Sequence, residues 1–481
     1  LVDSGRPRAA LASQAPSALP DKPSIAVLPF ANMSTDPENE FFSDGITEEI
    51  INALAQIDAL HVASRTSSFY FKGKTVEMRE IAERLRVTTL LEGSVRRAGN
   101  RVRITAQLID VAKDEHLWSE RYDREIEDIF AIQDEIARTI ADRLKVSLED
   151  GADTPLVKPH TENLEAYQLY LKGRSLLYKR GLAIPRGLEC FKRAVALDPD
   201  YALAYAGRAD GKAMLGYFGF APGKETMPQA KEAATKALDL APDLAEAHNA
   251  FAIVSLLHDR DWQTAERAFH RALELNPQYV QARAWYGVFY LQSVAGRFEE
   301  GLAEIRRCVE TDPLSSYNAA VLGVGLGLAG YHEEAIDQAV KATELDPDAS
   351  FPRWMLQLVY GWASRYPEAE QAGEEALAVS GRHVWAMAML AATYGKWGKP
   401  EKASAIYEEL KARTGREYVQ PSMLALAALG AGLLDEAVAL FSRAYEEREP
   451  FLTIVARHWP EFAPLREDPR GQEIMLKMGY P

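Results

Sequence analysis

The segment SSFYFKGKTVEMREIAERL (67–85) carries Gly73-Lys74-Thr75 between an apolar stretch, LHVAS (60–64), and a helix-like one. A Gly-Lys-Thr in that setting could hold phosphate: backbone N–H groups and a lysine ammonium meet the anion, and the hydroxyl meets Mg²⁺. The full pattern, GxxxxGK[ST], needs its first glycine for the tight turn that aims those N–H groups. Ser68 stands at that position, and Phe69, Tyr70 and Phe71 would crowd the cradle. The segment therefore reads as a loop between strand and helix whose rings pack the sheet edge. Lys72 and Lys74 are solvated and Thr75 starts the helix, with Lys74 kept as a weak anion-binding candidate.

The densest basic cluster is Arg96, Arg97, Arg101 and Arg103, on two strands joined at Ala98-Gly99-Asn100. A β-ribbon can enter a nucleic-acid groove, which makes these arginines the other weak anion-binding candidates. Yet residues 21–150 hold 17 Lys/Arg against 25 Asp/Glu, so a salt-bridged, solvated hairpin face is the favoured reading. Nine histidines occur without an HxxxH or HExxH spacing. His248, His258 and His270 are accordingly read as structural, and no metal is expected. Cys190 and Cys308 are the two cysteines, far apart, and Cys308 reads as a buried apolar side chain. GxSxG and a nucleophilic SxxK are both missing from the sequence, so serine-hydrolase chemistry has no anchor. No cofactor is expected.

These residues must be positioned by a chain of 481, too long for one ordinary core. Its 47% hydrophobic and 26% charged residues are those of a globular protein, and a net charge of −15 disfavours direct nucleic-acid binding. Residues 1–23, rich in Ala, Pro and Ser, read as a flexible linker that continues from something longer. The apolar runs NAAVLGVGLGLAG (318–330) and MLALAALGAGLL (423–434) are too short to span a bilayer. No membrane insertion is expected.

Those runs recur at a regular spacing. AVALDPD, ALDLAPD, ALELNPQ, CVETDPL and ATELDPD end on Pro199, Pro242, Pro277, Pro313 and Pro347, and the series continues to Gly381 and Gly415. A helix stopped every ~34 residues is the period of tetratricopeptide repeats (TPRs). Small residues agree with it: Gly323 in one helix, then Ala335, Ala339 and Ala342 in the next, where two backbones must approach. The longer first step accommodates an insertion, 217–229. The fold class is thus α/β plus all-α: a small mixed-sheet α/β domain (24–150), a linker (151–161), and a TPR α-solenoid of about eight helix pairs (162–450). Residues 451–481 are expected to cap its end.

The α/β domain is predicted as β-α-β-α-β-β-α. SIAVLPFAN is a buried strand, and SDGITEEIINALAQI a helix capped by Ser43 or Asp44. LHVASR is a second strand, and VEMREIAERLRV a helix capped by Thr75. TTLLEGSVRRAGNRVRITAQLIDVAKDEHLWSERYD is a hairpin, and residues 129–148 the last helix.

IAVLPFANMSTDPENEFFSDGITEEI, VASRTSSFYFKGK and LLEGSVRRAGNRVRITAQLIDVAKDEHLWSERYDREIEDIFAIQDEIA resemble the TolB amino-terminal-like (FlgO-like) domain. In bacteria that domain is joined to TPRs whose last element resembles PEFAPLREDPRGQEIMLKMG. The resemblance implies the C-terminal half of a signalling protein whose output module is a winged-helix DNA-binding domain, a Ser/Thr kinase or a class III nucleotide cyclase. None of those modules is present in the sequence.

The expected function is a non-catalytic interaction and sensing module that binds a protein or peptide in the TPR groove. Counted from each helix-stop residue, Tyr317, Phe351, Trp354, Trp362 and Trp385 fall at groove-facing positions, with Gln292 and Lys396 nearby. Aromatic rings suit such anchoring, and they suit packing between repeats equally well. Two other readings stay open: an enzyme, either an NTPase using Lys74 and Thr75 or a hydrolase, and the regulatory half of a transcription factor. A homo-oligomer is compatible with all three, and the expected location is cytoplasmic unless a transmembrane segment lies upstream.

Overall fold

The computed structural model describes residues 22–36, 38–146, 156–157, 160–179 and 181–481. Most of the two linkers expected from sequence lies outside them. The α/β part is built on a sheet of order β3-β1-β4-β5-β6. Its strands are Ser24–Val27 (β1), Ala31–Asn32 (β2), His61–Val62 (β3), Thr89–Ala98 (β4), Arg101–Asp110 (β5) and Glu115–Glu125 (β6). β1 pairs in parallel with β3 and β4, β2 adds a short parallel pairing on β4, and β4-β5-β6 form an antiparallel meander. Asn39–Ala55 (α1) and Ile129–Arg143 (α4) cover one face, through Ile46, Ile50, Leu54, Ile132, Ile136 and Ile140. Arg65–Phe69 (α2) and Met78–Leu85 (α3) serve the other, where Phe71, Ile81 and Leu85 pack on Ala26 and Leu90.

Three details differ from the sequence expectation. β6 is a full third strand of the meander, not the tail of a hairpin. α1 starts four residues early, so Ser43 is buried inside it, bonded to the Asn39 carbonyl, and neither Ser43 nor Asp44 caps it. α3 begins at Met78 after Glu77, so Thr75 does not cap it.

The remainder is helical hairpins. The first four pairs are Leu164–Lys179 (α5) with Ile184–Leu197 (α6), Ala202–Tyr217 (α7) with Gly223–Leu240 (α8), Ala245–Val254 (α9) with Trp262–Leu275 (α10), and Val280–Ala284 (α11) with Phe298–Thr311 (α12). The next four are Ser316–Leu328 (α13) with His332–Leu345 (α14), Ser350–Trp362 (α15) with Tyr366–Ser380 (α16), Val384–Lys396 (α17) with Pro400–Arg413 (α18), and Pro421–Gly430 (α19) with Leu434–Glu446 (α20). Small residues allow close approach within a pair and between pairs: a Cβ at Gly323 of α13 would press on the Ala335 carbonyl of α14, and Gly395 of α17 meets the Gly430 backbone of α19. α9 and α11 continue as π-helix over Ser255–Asp259 and Trp285–Gln292.

Pro450–Val455 (α21), Ala463–Glu467 (α22) and Pro469–Met478 (α23) complete the chain. α23 packs on α20, as a solenoid end requires. The segment also reaches back across the array. Thr453 donates to the Leu257 carbonyl at 3.4 Å, Arg457 to that of Val294, and Trp262 Nε1 to that of Gly479 at 2.6 Å. The Tyr480 ring stacks on Trp262. The solenoid turn is therefore closed on itself, with Tyr217 meeting Trp285, Phe289, Trp385 and Phe451 at 5.4–5.8 Å between ring centroids.

Candidate functional site: the junction of the α/β unit and the array

The closure changes the setting of the five aromatic residues. Trp385 is 1% exposed; its ring meets Phe451 at 4.1 Å and its Nε1 donates to Gln420 at 2.5 Å. Trp354 is buried and stacks on His383, whose pKa falls to about 4 because burial penalises the imidazolium, with Arg413 adding repulsion. Trp362 is buried and donates to both carboxylate oxygens of Glu461 at 3.0 Å. Tyr317 and Phe351 are half-buried, 5.2 Å apart. The structure thus brings Phe351, Trp354 and Trp385 into one interior cluster with Phe218, and it places Trp362 elsewhere, against Trp459. Lys396 pairs with Glu461 at 2.7 Å, and Gln292 ties the Phe298 and Gly325 carbonyls together. The tryptophan faces are filled by the chain's own rings.

Three of the hairpin arginines share one face of the β4–β5 pair, with Arg96 directly across from Arg103 and Arg101 two residues before it. Arg101 and Arg103 both bond to Asp123, whose carboxyl falls to about 2 through those two bonds. Arg96 donates to the Met33 carbonyl and Arg97 to that of Gly99, both at 3.3 Å. Lys74 Nζ lies 3.2 Å from the Tyr70 ring centroid. Its glycine, Gly73, is in a turn that follows α2, so a short helix replaces the strand-to-loop approach a phosphate cradle requires. His248 contacts the Pro242 carbonyl and His270 the Tyr286 hydroxyl. Burial pushes the Cys308 thiol up to about 12.

What the Ser/Thr-and-aromatic segment does is dock. Ser64 Oγ and Ser67 Oγ donate to Asp312 Oδ1 at 2.5 and 2.6 Å, and the Leu314 N–H donates to Ser67 Oγ at 3.0 Å. Leu314 and Leu345 of the array join the apolar cluster beneath α2 and α3. Burial raises the Asp312 carboxyl, opposed by the bonds from Ser64 and Ser67.

A second contact lies on α1. Gly45 lets α1 approach α5, since a Cβ there would run into the Leu171 side chain. Glu48, 4% exposed, accepts from Arg65 Nε at 2.9 Å and pairs with Arg174 Nη2 at 2.5 Å. Although burial opposes it, the two guanidiniums hold its carboxyl below the ordinary value. Arg174 also donates to Tyr170 and Tyr178, and Arg65 lies between the Phe69 and Tyr178 rings at 4.1 and 4.2 Å. The α/β unit thus touches the first array helix and the fourth and fifth helical pairs together. Sequence reading missed Glu48 and Asp312. The signals were carboxylates set among apolar helix positions (ITEEIINAL) and immediately before a helix-stop proline.

Residues 21–139 match the model for the HilA/YgeH-like transcriptional regulator, second domain. The chain is 47% identical over 197 residues, 41% of its length, to "Putative adenylate cyclase 3" of Rhizobium meliloti, of which that stretch is 34%. It is 22% identical over 302 residues, 62% of its length, to the transcriptional regulator HilA of Salmonella typhimurium, of which they are 52%. The chain therefore spans about a third to a half of these relatives. Among solved structures, the human IFIT1 dimer with m7Gppp-AAAA is 17% identical, with 66% of this chain and 77% of that one aligned and a TM-score of 0.44.

Proposed function

We propose that the chain is a non-catalytic sensing and interaction module of a bacterial regulatory protein, with the α/β unit docked over the array as its movable part. The observation that carries this is the two-point junction. Asp312 with Ser64 and Ser67, and Glu48 with Arg65 and Arg174, hold two units together through polar contacts that a ligand or partner could redistribute. The relatives support it, since stretches of this chain are similar to a transcriptional regulator and to a putative adenylate cyclase. The resemblance of the α/β unit to TolB amino-terminal-like domains points the same way. Transcriptional regulation and cyclic-nucleotide synthesis are then alternative outputs of a neighbouring domain, and the location is cytoplasmic. Among the described residues no helix is long and apolar enough to cross a membrane.

A protein or peptide partner remains the expected macromolecular ligand. Tyr317 and Phe351 are the groove candidates that keep exposed surface. The test is ATP and GTP binding and turnover by the purified chain, wild type and Lys74→Ala. Neither activity is expected, and nucleotide binding that Lys74→Ala abolishes would overturn the reading in favour of an NTPase.

A further inference from the structure

The sheet ends on β6, and the two edges are unlike. β3 pairs over two residues, whereas β6 runs for eleven, about twice an ordinary strand. The ladder partner of β6 is β5 alone, and among the described residues no other backbone group bonds to 115–125. An open edge of this length is a template for another strand, and proteins commonly blunt one with proline, lysine or a bulge. EHLWSERYDRE (115–125) contains neither proline nor lysine. The bulge at Leu108/Ile109 falls before Trp118 and leaves 119–125 regular. Charge is the remaining device, and here its pattern works the other way.

The ladder fixes which groups point outward. The Ile126 N–H donates to the Asn100 carbonyl, so the next pair, Arg101 with Glu125, exchanges no bonds. By the alternation of an antiparallel ladder, Trp118, Glu120, Tyr122 and Arg124 bond to β5. Ser119, Arg121, Asp123 and Glu125 therefore aim their N–H and C=O groups away from the sheet. All four are exposed, and among the described residues the Arg121 guanidinium has no partner. Asp123, held by Arg101 and Arg103, and Arg124, paired with Glu135, both stay partly open to a further contact.

The order of charges selects the partner. Along Glu120-Arg121-Tyr122-Asp123-Arg124 the signs run minus, plus, neutral, minus, plus. Read backwards, every charged position carries the opposite sign. A second copy laid antiparallel, with Tyr122 on the two-fold axis, sets Arg121 against the second copy's Asp123 and Glu120 against its Arg124. Symmetry makes each pair twice. Arg121 and Asp123 then exchange the backbone bonds, and the two Tyr122 residues form the close, non-bonded pair at the axis. Centring on Glu120, Arg121, Asp123 or Arg124 would bring like charges face to face. Centring on Ser119 would set Asp123 against Glu115. The register that satisfies the charges is thus one that this strand makes with itself.

We propose that β6 is a homodimer interface, in which two copies of this chain pair their β6 strands antiparallel about Tyr122 into one continuous sheet. The proposal goes beyond the sensing role and rests on the sheet edge alone. A single strand pair is a small interface, so the dimer forms at about 100 µM chain and dissociates on dilution. Its ion pairs are exposed, so high salt weakens it.

Sedimentation velocity of the intact chain tests this, at ~0.05 M and ~1 M NaCl. The wild type is expected to dimerise with concentration, and more weakly in high salt. Arg121→Asp sets carboxylate against carboxylate across the axis, and Asp123→Arg sets guanidinium against guanidinium. Each variant alone should dimerise about tenfold more weakly or worse. Mixed together, the two variants regain both opposite-charge pairs and should associate as well as wild type. Glu120→Arg mixed with Arg124→Glu repeats the design should Asp123→Arg disturb the hairpin. A wild type that stays monomeric at about 100 µM would overturn the proposal and leave the edge to a strand from another protein. A dimer that no single variant weakens would overturn it in favour of another surface of the chain. A mixture no better than its components would reject the register centred on Tyr122, and with it the proposal.

Discussion

Ser67 donates a hydrogen bond to Asp312 at 2.6 Å, joining residues 245 positions apart in the chain. Ser64 shares the same carboxylate oxygen, and Asn318 donates to the other at 3.3 Å. Replacing Asp312 by Ala leaves Ser64, Ser67 and Asn318 short of an acceptor, at a cost of about 1–3 kcal/mol. Amide hydrogen exchange should quicken across 64–71 and not in α17–α20. Unchanged exchange at 64–71 would show that the junction is held by its apolar contacts alone.

The closing of the solenoid turn rests on rings. Trp385→Ala removes a fully buried indole from contact with Tyr217, Phe218 and Phe451, and should cost about 3–5 kcal/mol in urea unfolding. Tyr317→Ala, on a half-buried ring, should cost less. A cycle of Trp385→Ala with Phe451→Ala should be non-additive, because the rings touch. Additivity would contradict the closure.

Stability should fall as pH rises through 7. Glu449, 1% exposed, is pushed up to about 7 by burial while accepting from the Ser422 N–H at 2.9 Å. Glu49 and Asp210 are raised similarly. A carboxyl raised in the folded state binds more protons there than in the unfolded chain, so its contribution is complete below its unfolded pKa and lost above its folded one. Between pH 6.5 and 8.5 each group should cost on the order of 1 kcal/mol. Glu449→Gln should flatten its share of the slope in thermal melts; a slope that the variant leaves unaltered would reject the assignment.

Lys74→Ala should cost well under ~1 kcal/mol, the range of an exposed cation–π contact, and should leave titrations with fluorescent nucleotide flat. Tyr70 holds that ammonium where a P-loop would present it to phosphate.

The helical pairs were legible because a proline or glycine stop recurs in register with small residues, and both are local signals. β6 was not, because Trp118 and Tyr122 alone are fully buried along it, four residues apart, and a bulge at Leu108/Ile109 breaks the alternation. Thr75 looked like a cap since Thr before an apolar stripe usually is one; the chain runs on through Val76 and Glu77 before α3 begins. The closure was invisible for a different reason. Tyr217 and Trp385 meet across several repeats, and a repeat pattern fixes each unit's neighbours without fixing the curvature that brings distant units together. The tryptophans were accordingly placed on the right helices, with no sequence signal that Phe451 and Glu461 would come to cover them.

The most direct measurement is made in the cell that carries the gene. Cyclic AMP and the transcript profile are compared for wild type, Asp312→Ala and a deletion, with the variant protein confirmed at normal abundance. If the junction relays a signal, Asp312→Ala moves at least one of the two readouts toward the deletion, and which one moves names the output. If the deletion changes them and Asp312→Ala leaves both at wild-type levels, the docking of the α/β unit on the array is not the signalling element.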